Sequence, residues 1–569
     1  MRSVLFLLFC VSASLFAALS QEEGLSRIRA HLLLSDPVSA MKEAEVQRAL
    51  FPDSQEIAKC ELICMARSGR AGDAYRRLNE LEATDDLELV EEVAWSFLCA
   101  AEHSAQIPVV SSSLIGNYLT RDVRAVKALM HSMRSSNAGL RMLAVRLGAA
   151  YGDAVLVDTL EAMLGTEQVW YVKLEIIRAL GHLRVKSSAE KLEAILSQSE
   201  FAEEKVACVG ALVTFYDDVT EEQVDLLLES KSSGLRLLGL QLLIHFDKNQ
   251  WREKCLRPLM DHSVDVRCAA LTTLGMLGMG ELEFGGTLAT LLEEDLYPVN
   301  VHAAWLLLKQ NRMEGYRHLY RMAMHGDDKL RRLAAASIAS SGVAGELLAE
   351  KLLKESSDPY VKVNIALHML GGSIERNLTT KQIFNFLDQT DEKIMFEYFP
   401  GSFFTAVAPS QVRHSPHVAQ YPLLVDQMVR LQLYSALAVV KAKGSEKLIA
   451  KFLDRGMSEV VQAASMTLLQ EGSREALDQV KELLQDESLS DTVKLGATLV
   501  LAYAGEEEAF DQLKSMYFNF GRMEKLMIIE ALASVKGQKS LSFLISLLDE
   551  HAHILRIASA SAIIQSLRN

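Results

Sequence analysis

Apolar positions along this chain follow two periods at once. Within short segments they fall at i, i+3, i+4 and i+7, the spacing of one helix face. Between segments the whole pattern returns about every 31 to 33 residues. The clearest copy is Val266-Arg267 followed by Ala270, Leu274, Gly275, Leu277 and Gly278. Copies of the Val-Arg position stand at Leu140-Arg141, Val172-Lys173, Glu204-Lys205, Leu235-Arg236, Val299-Asn300, Leu330-Arg331 and Val361-Lys362. They resume at Val429-Arg430, Val460-Val461, Val493-Lys494, Glu524-Lys525 and Leu555-Arg556. A fixed period of this length is the signature of a solenoid, in which each unit buries its apolar face only against its neighbours.

Each unit is predicted to hold two helices. In the copy at 261–292, Asp261-His262-Ser263 supplies the start, Val266–Met276 the first helix, Gly278 and Gly280 its stop, and Gly286–Leu292 the second helix. Second helices are predicted again at Val155–Leu164, Ala189–Leu196, Val224–Leu228, Leu347–Leu353, Ala476–Leu484, Ala509–Met516 and Leu541–Leu548. From residue ~105 to the end the pattern resembles HEAT repeats, and its short period is most similar to the bilin-lyase-type subgroup. The resemblance implies an all-α, right-handed α-solenoid of stacked helical hairpins. It also implies that the basic residue of each copy pairs with acids in adjoining turns. The ladder Arg141, Lys173, Lys205, Arg236, Arg267, Arg331, Lys362, Lys494, Lys525 and Arg556 therefore reads as a stacking joint, not an anion track.

Two regions depart from the register. Residues 21–104 form a separate N-terminal segment in which Phe51-Pro52, Ala58, Leu62, Gly69, Ala71, Ala74 and Leu78 resemble a single tetratricopeptide-like hairpin. The second is the 68-residue step from Val361 to Val429, which separates a first half (105–395) from a second half (425–569). Within it, 396–424 carries Pro400, Pro409, Pro416 and Pro422 among the aromatics Phe396, Tyr398, Phe399, Phe403, Phe404 and Tyr421. Proline breaks helices, so this insertion reads as a loop or short extended excursion, or as a degenerate unit that buries its aromatics.

Composition narrows the function. Aromatics are 7% and Pro only 10 residues, as an almost wholly helical chain requires. At the N-terminus, Arg2, the apolar run Val4–Ala18 and Ala18-Leu19-Ser20 before Gln21 read as an export signal covering residues 1–20. Phe9 stands where a lipoprotein signal needs a small residue, so Cys10 is not expected to carry lipid. Removing that segment takes the formal charge from −15 to −16, because it contains one Arg and no acid. Nucleic-acid binding, which needs clustered cations, is not expected. No membrane span is expected in the mature chain either. Six cysteines remain (Cys60, Cys64, Cys99, Cys208, Cys255, Cys268), read as small core residues.

Catalytic signals are sparse. The cluster Asp549-Glu550-His551-Ala552-His553 makes His551 and His553 weak metal candidates, and His414-Ser-Pro-His417 lies in the insertion. Neither has the spacing of a known metal site. The HEAT-repeat hydroxylase family that binds two irons does so through His-Glu pairs, and the chain has no His-Glu dipeptide. The HEAT-like DNA glycosylases use a basic groove that this charge cannot supply. Bilin-lyase activity is cytosolic and conflicts with an export signal. No cofactor is expected.

Two sets of binding candidates remain. Tyr316, Arg317, Tyr320 and Arg321 sit in a basic-aromatic stretch with Arg312, His318, Lys329, Arg331 and Arg332. Tyr and Arg dominate interface hot spots, and the resemblance implies that second helices line the concave face. Phe399, Phe403 and Phe404 of the insertion form the other set. The expected function is an exported, non-catalytic scaffold that binds a protein or peptide partner along that face, in the periplasm or cell envelope of a Gram-negative bacterium or secreted. Alternatives are an envelope- or cell-surface-associated assembly or host-interaction factor, and an enzyme or lyase-like subunit with its site in 396–424.

Overall fold

The structure is a computed structural model that describes residues 21–278, 286–371, 376–399, 403–414, 420–454, 457–470, 477–478, 480–481, 484–485 and 490–568. Residues 1–20, read as an export signal, lie outside that set, as do His417 and four residues of the predicted helix at 476–484. The chain is an all-α solenoid of stacked helical hairpins with one small β-hairpin among the described residues. Its contacts separate two compact units. One comprises the residues up to 159 together with those from 498 onward, and the other comprises 160–497.

In the first unit the chain starts as helical hairpins. Helical residues 21–33 precede Pro37–Leu50, Gln55–Arg67 pairs with Ala71–Glu80, and Leu87–Glu102 leads into Ile107–Thr120. The starts are set by side chains that take up otherwise unpaired amides: Asp36 accepts from Ser39 N at 3.0 Å, Ser54 from Ile57 N at 3.3 Å, and Asp86 from Leu89 N at 3.2 Å. Ile28, Ala40, Ala44, Ile57 and Cys64 form the core beneath them. The last helix of the chain, His553–Ser566, packs on both Leu87–Glu102 and Ile107–Thr120. A terminal repeat leaves an apolar face without a neighbour. Here the start of the chain covers it.

In the second unit first helices recur as Trp170–His182, Ala202–Val213, Ser233–His245, Val264–Leu277, Tyr297–Lys309, Asp328–Ala339 and Pro359–His368. Observed second helices run slightly longer than the sequence pattern, for example Glu221–Leu228 and Glu346–Glu355, because capping and first-turn residues are polar and escape an apolar count. The unit that opens with Ser233–His245 has no α second helix. Its return is made by 3-10 turns at Asn249–Cys255 and Pro258–Met260, where Pro258 cannot continue an α-helical hydrogen-bond ladder.

The basic ladder is a joint between units. Arg267 donates to the carbonyls of Asp261 (2.7 Å) and His262 (3.3 Å) in the turn before its own helix, and pairs with Glu294 of the next unit. Arg236 does the same with Ser230 O, Lys231 O and Asp261, and Arg331 with Gly326 O and Asp358. Lys173–Glu204 at 2.9 Å repeats the ion pair. The acid is also tied to the start of the next first helix: Asp358 accepts from Tyr360 N at 2.9 Å, and Asp261 from Ser263 N at 2.8 Å. One guanidinium thus neutralises exposed carbonyls behind it and fixes a helix start ahead of it.

The insertion is more ordered than its prolines suggest. Strand β1 (Ile394–Tyr398) pairs antiparallel with β2 (Thr405–Pro409), with Phe396 opposite Val407. The hairpin is preceded by the helix Arg376–Gln389 and followed by Tyr421–Val439. Pro422 lies in the first turn of that last helix, where a missing amide costs nothing. Ile394 and Val407 join Val363, Ala366, Ile383 and Leu433 in one core.

Candidate functional site

The repeat register decides which residues share a face. Stepping by one unit from Lys205 to Arg236 and Arg267, Val206, Val209, Gly210 and Val213 correspond to Leu237, Leu240, Gln241 and Ile244, then to Cys268, Leu271, Thr272 and Gly275. One residue further along each copy, Ala269 and Thr272 correspond to His302 and Trp305, then to Leu333 and Ala336, then to Asn364 and Leu367. All lie on first helices. The last three helices of this series carry the β-hairpin on that face, and the first three do not.

On the covered part, the hairpin is held by specific polar contacts. Asn364 Nδ2 donates to Val407 O at 2.9 Å while Val407 N donates to Asn364 Oδ1 at 2.7 Å. Arg332, buried, donates to Glu397 Oε2 through Nε (3.0 Å) and Nη2 (2.8 Å). Asp426 accepts from Ile394 N at 2.9 Å and from Arg430 Nε at 3.0 Å. Phe403 and Phe404 rest on His302 and Trp305, with ring centroids 4.8 to 5.8 Å apart. Trp305 itself fits because a Cβ on Gly275 would lie 2.2 Å from its ring. The glycine of the motif therefore makes room for the platform under the hairpin. His302 Nδ1 donates to Pro298 O, and burial pushes the imidazole down to about 4, so it is neutral. His302 Nε2 and Trp305 Nε1 have no hydrogen-bond partner.

On the uncovered part lies an apolar groove of about 620 Å³. Its walls are Val206, Val209 and Val213 on Ala202–Val213, Leu237, Leu240 and Ile244 on Ser233–His245, and Ala269, Thr272 and Thr273 on Val264–Leu277. Among the described residues, Phe403 is the one lining residue from outside these three helices. Val206 is 73% exposed and Phe403 41%. Contiguous exposed apolar surface of this kind marks interaction sites in folded proteins. Beyond Ala202, the exposed rings of Trp170 and Phe201 frame a second hollow of about 350 Å³ with Leu174.

The sequence-predicted residues divide. Phe399 and Phe404 are buried, and Phe403 alone of the three reaches the groove. Tyr316, Arg317, Tyr320 and Arg321 lie on the second helix Met313–His325, and none lines the groove. Tyr320 donates to Glu355 at 2.9 Å, which raises its phenol above the usual range, and its ring carries Lys351 Nζ at 4.3 Å. Tyr316 is half-buried, and Arg317 and Arg321 are exposed. Arg331 and Arg332 leave that patch altogether, one to the ladder and one to the hairpin. His551 and His553 are exposed, and among the described residues no three His, Cys, Asp or Glu are grouped to hold a metal. His414 is exposed. Sequence reasoning passed over the groove itself. Its signal was present in part: Val206 and Leu237 each follow the basic residue of consecutive copies, and both line the groove.

Architecture and site together define an all-α repeat protein with an apolar surface groove. No protein-family model and no curated protein matches the chain. Among solved structures it is similar to UNC-45 from Drosophila melanogaster (13% identity, 96% of this chain and 83% of that one, TM-score 0.28). It is similar too to Kap121p bound to Nup53p (10%, 95% and 86%, TM-score 0.29). A third is a homology model of the full-length AP-3 complex in an intermediate open conformation (11%, 80% and 94%, TM-score 0.31). Among the described residues no helix is long and apolar enough to cross a membrane.

Proposed function

We propose that this protein is a non-catalytic repeat scaffold that binds a protein partner through the first-helix face of residues 202–276, and that it is exported to the cell envelope. The observation that carries the reading is the uncovered half of one continuous face. Where the hairpin sits, His302, Leu333 and Asn364 are buried. One step before it, Val206, Leu237 and Ala269 line an open apolar groove. Burying an aliphatic side chain of this size is worth about 1.5–3 kcal/mol before the cost of association is met. Export rests on the segment 1–20.

Two measurements test the two parts. A photo-crosslinking amino acid at Val206 is expected to trap a discrete protein in native cell envelopes, while the same group at Arg321 does not. Equal trapping at both positions removes the groove from the proposal. Fractionation of chains with and without residues 1–20 is expected to move the protein from envelope to cytosol. A full-length chain found in the cytosol overturns export.

A further inference from the structure

Two consecutive unit starts break the capping habit of the array. Asn137, Asp327 and Asp358 stand four residues before the ladder cation of their units and accept a first-turn amide there. In the units of Lys173 and Lys205 that place is held by Val169 and Phe201, and neither helix start has a side-chain cap. Trp170 and Phe201 stand 67% and 71% exposed instead. A large ring left in water where a short polar residue would stabilise the helix forgoes local stability, the mark of a position kept for another purpose. Both rings line the hollow of about 350 Å³, together with Leu174, Glu203 and Glu204. Tyr171 stands edge-on to Trp170, with ring centroids 6.0 Å apart.

The two acids of the hollow are not equivalent. Glu204 is matched by Lys173 at 2.9 Å, as part of the ladder. Glu203 is exposed and, among the described residues, has no ion-pair partner. Two aromatic rings beside an unmatched carboxylate attract a cation, because the ring faces are electron-rich and the carboxylate supplies the opposite charge. An apolar occupant would cover Glu203 without giving it a partner, and an anion would be repelled by it.

Elsewhere the chain shows the same arrangement filled. The guanidinium of Arg124 lies over the indole of Trp95, with Cζ 4.3 Å from the ring centroid. Its nitrogens reach two adjacent acids, Glu91 at 2.7 Å and Glu92 at 2.9 Å. Lys351 over Tyr320 beside Glu355, and Lys525 over Tyr517 beside Glu550, repeat the combination of ring, acid and cation. At Trp170 the ring and the adjacent acids Glu203 and Glu204 are present, and the ring is open to solvent. A planar guanidinium stacks on an indole and forks to a carboxylate at once, which an ammonium does less well.

We infer that this hollow receives an arginine side chain of a partner protein, its guanidinium over the Trp170 ring and its N–H groups donating to Glu203. Phe201 covers the aliphatic stem. The inference rests on the partner-protein reading above but uses a site that shares no lining residue with the groove, so the Val206 crosslink can succeed or fail without it.

The probe is N-acetylarginine amide, titrated into the full chain lacking residues 1–20, labelled with fluorotryptophan and followed by fluorine NMR. The Trp170 resonance, assigned with Trp170→Phe, is expected to shift saturably at millimolar ligand. N-acetylcitrulline amide, which keeps the shape and loses the charge, is expected to bind about tenfold or more weakly. Glu203→Gln is expected to weaken arginine binding by about three- to tenfold. Phe201→Ser is expected to weaken it too while raising the denaturation midpoint, because it restores a capping residue. Unchanged resonances of the buried Trp95 and Trp305 show that each variant keeps its fold. No shift, equal shifts with the arginine and citrulline amides, or indifference to Glu203→Gln overturns the inference. A lower midpoint for Phe201→Ser does the same, because it returns the ring to a packing role. Free arginine binding about tenfold more tightly than the blocked amide assigns the hollow to a small molecule and overturns the partner side chain.

Discussion

Ser561 donates its hydroxyl hydrogen to the carbonyl of Gly116 at 3.1 Å, joining the last helix to one near the start of the chain. The two backbones approach closely because Gly116 has no side chain: a Cβ there would lie 3.1 Å from Leu98 and 3.2 Å from Ser561. Arg568 closes the same contact by donating to Thr120 O at 3.2 Å and Glu91 at 2.9 Å, and it pairs with Asp122. Burial alone would raise the Asp122 carboxyl, yet Arg124 and Arg568 outweigh it and hold it at about 2. Gly116→Leu is expected to push His553–Ser566 off its seat and cost about 2–4 kcal/mol, above the small gain in helix propensity. Hydrogen exchange should then rise across residues 553–566. Protection equal to wild type would show that the contact is not tight.

The ladder predicts a local effect. Arg267→Ala removes an ion pair to Glu294 and two hydrogen bonds to carbonyls, all at a side chain only 12% exposed. A loss of about 2–4 kcal/mol is expected, concentrated in Val264–Leu277 and the turn before it. Chemical denaturation should show an early transition in the repeats around that helix. Arg317→Ala, on an exposed side chain, should change stability by less than about 0.5 kcal/mol.

His302 sets an acid limit. Its folded-state value of about 4 lies below its ordinary 6.5, so it contributes stability that is present above pH 6.5 and lost as pH falls through 4. The full loss is on the order of 3 kcal/mol. His302→Leu is expected to lower stability at pH 7.5 but to flatten the decline between pH 6.5 and 4. Parallel declines for wild type and variant would show that His302 is not neutral in the fold.

Thiol chemistry offers a further check. Cys60, Cys64, Cys99, Cys208, Cys255 and Cys268 are all unpaired. Burial raises every one of them, Cys99 to about 11 and Cys64, Cys208, Cys255 and Cys268 to about 12. The native chain lacking residues 1–20 should react slowly with a disulfide reagent and yield six thiols in denaturant. A count of four would place a bridge, with Cys60 and Cys64 the nearest pair in sequence.

What the sequence determined was the frame. A period of 31 to 33 residues can be met only by units that bury their apolar faces against neighbours. The recurring basic residue at positions such as Arg236, Arg267 and Arg331 then has one place to go, the turn between units. The 68-residue gap marked where the frame departs from itself. These are local and periodic properties, and local chemistry is enough to read them.

What only the tertiary structure decided was which solvent-side positions are filled. The prolines of 396–424 forbade a helix, but nothing local specified that Val407 would meet Asn364, 43 residues away, or that Phe403 would end a groove begun at Val206. The same holds for Ser561 on Gly116, 445 residues apart. A helix face reads as apolar or polar from its own sequence, but whether it is covered depends on where a distant segment packs. The repeat built one continuous face, and the placement of the hairpin divided it into a closed half and an open one.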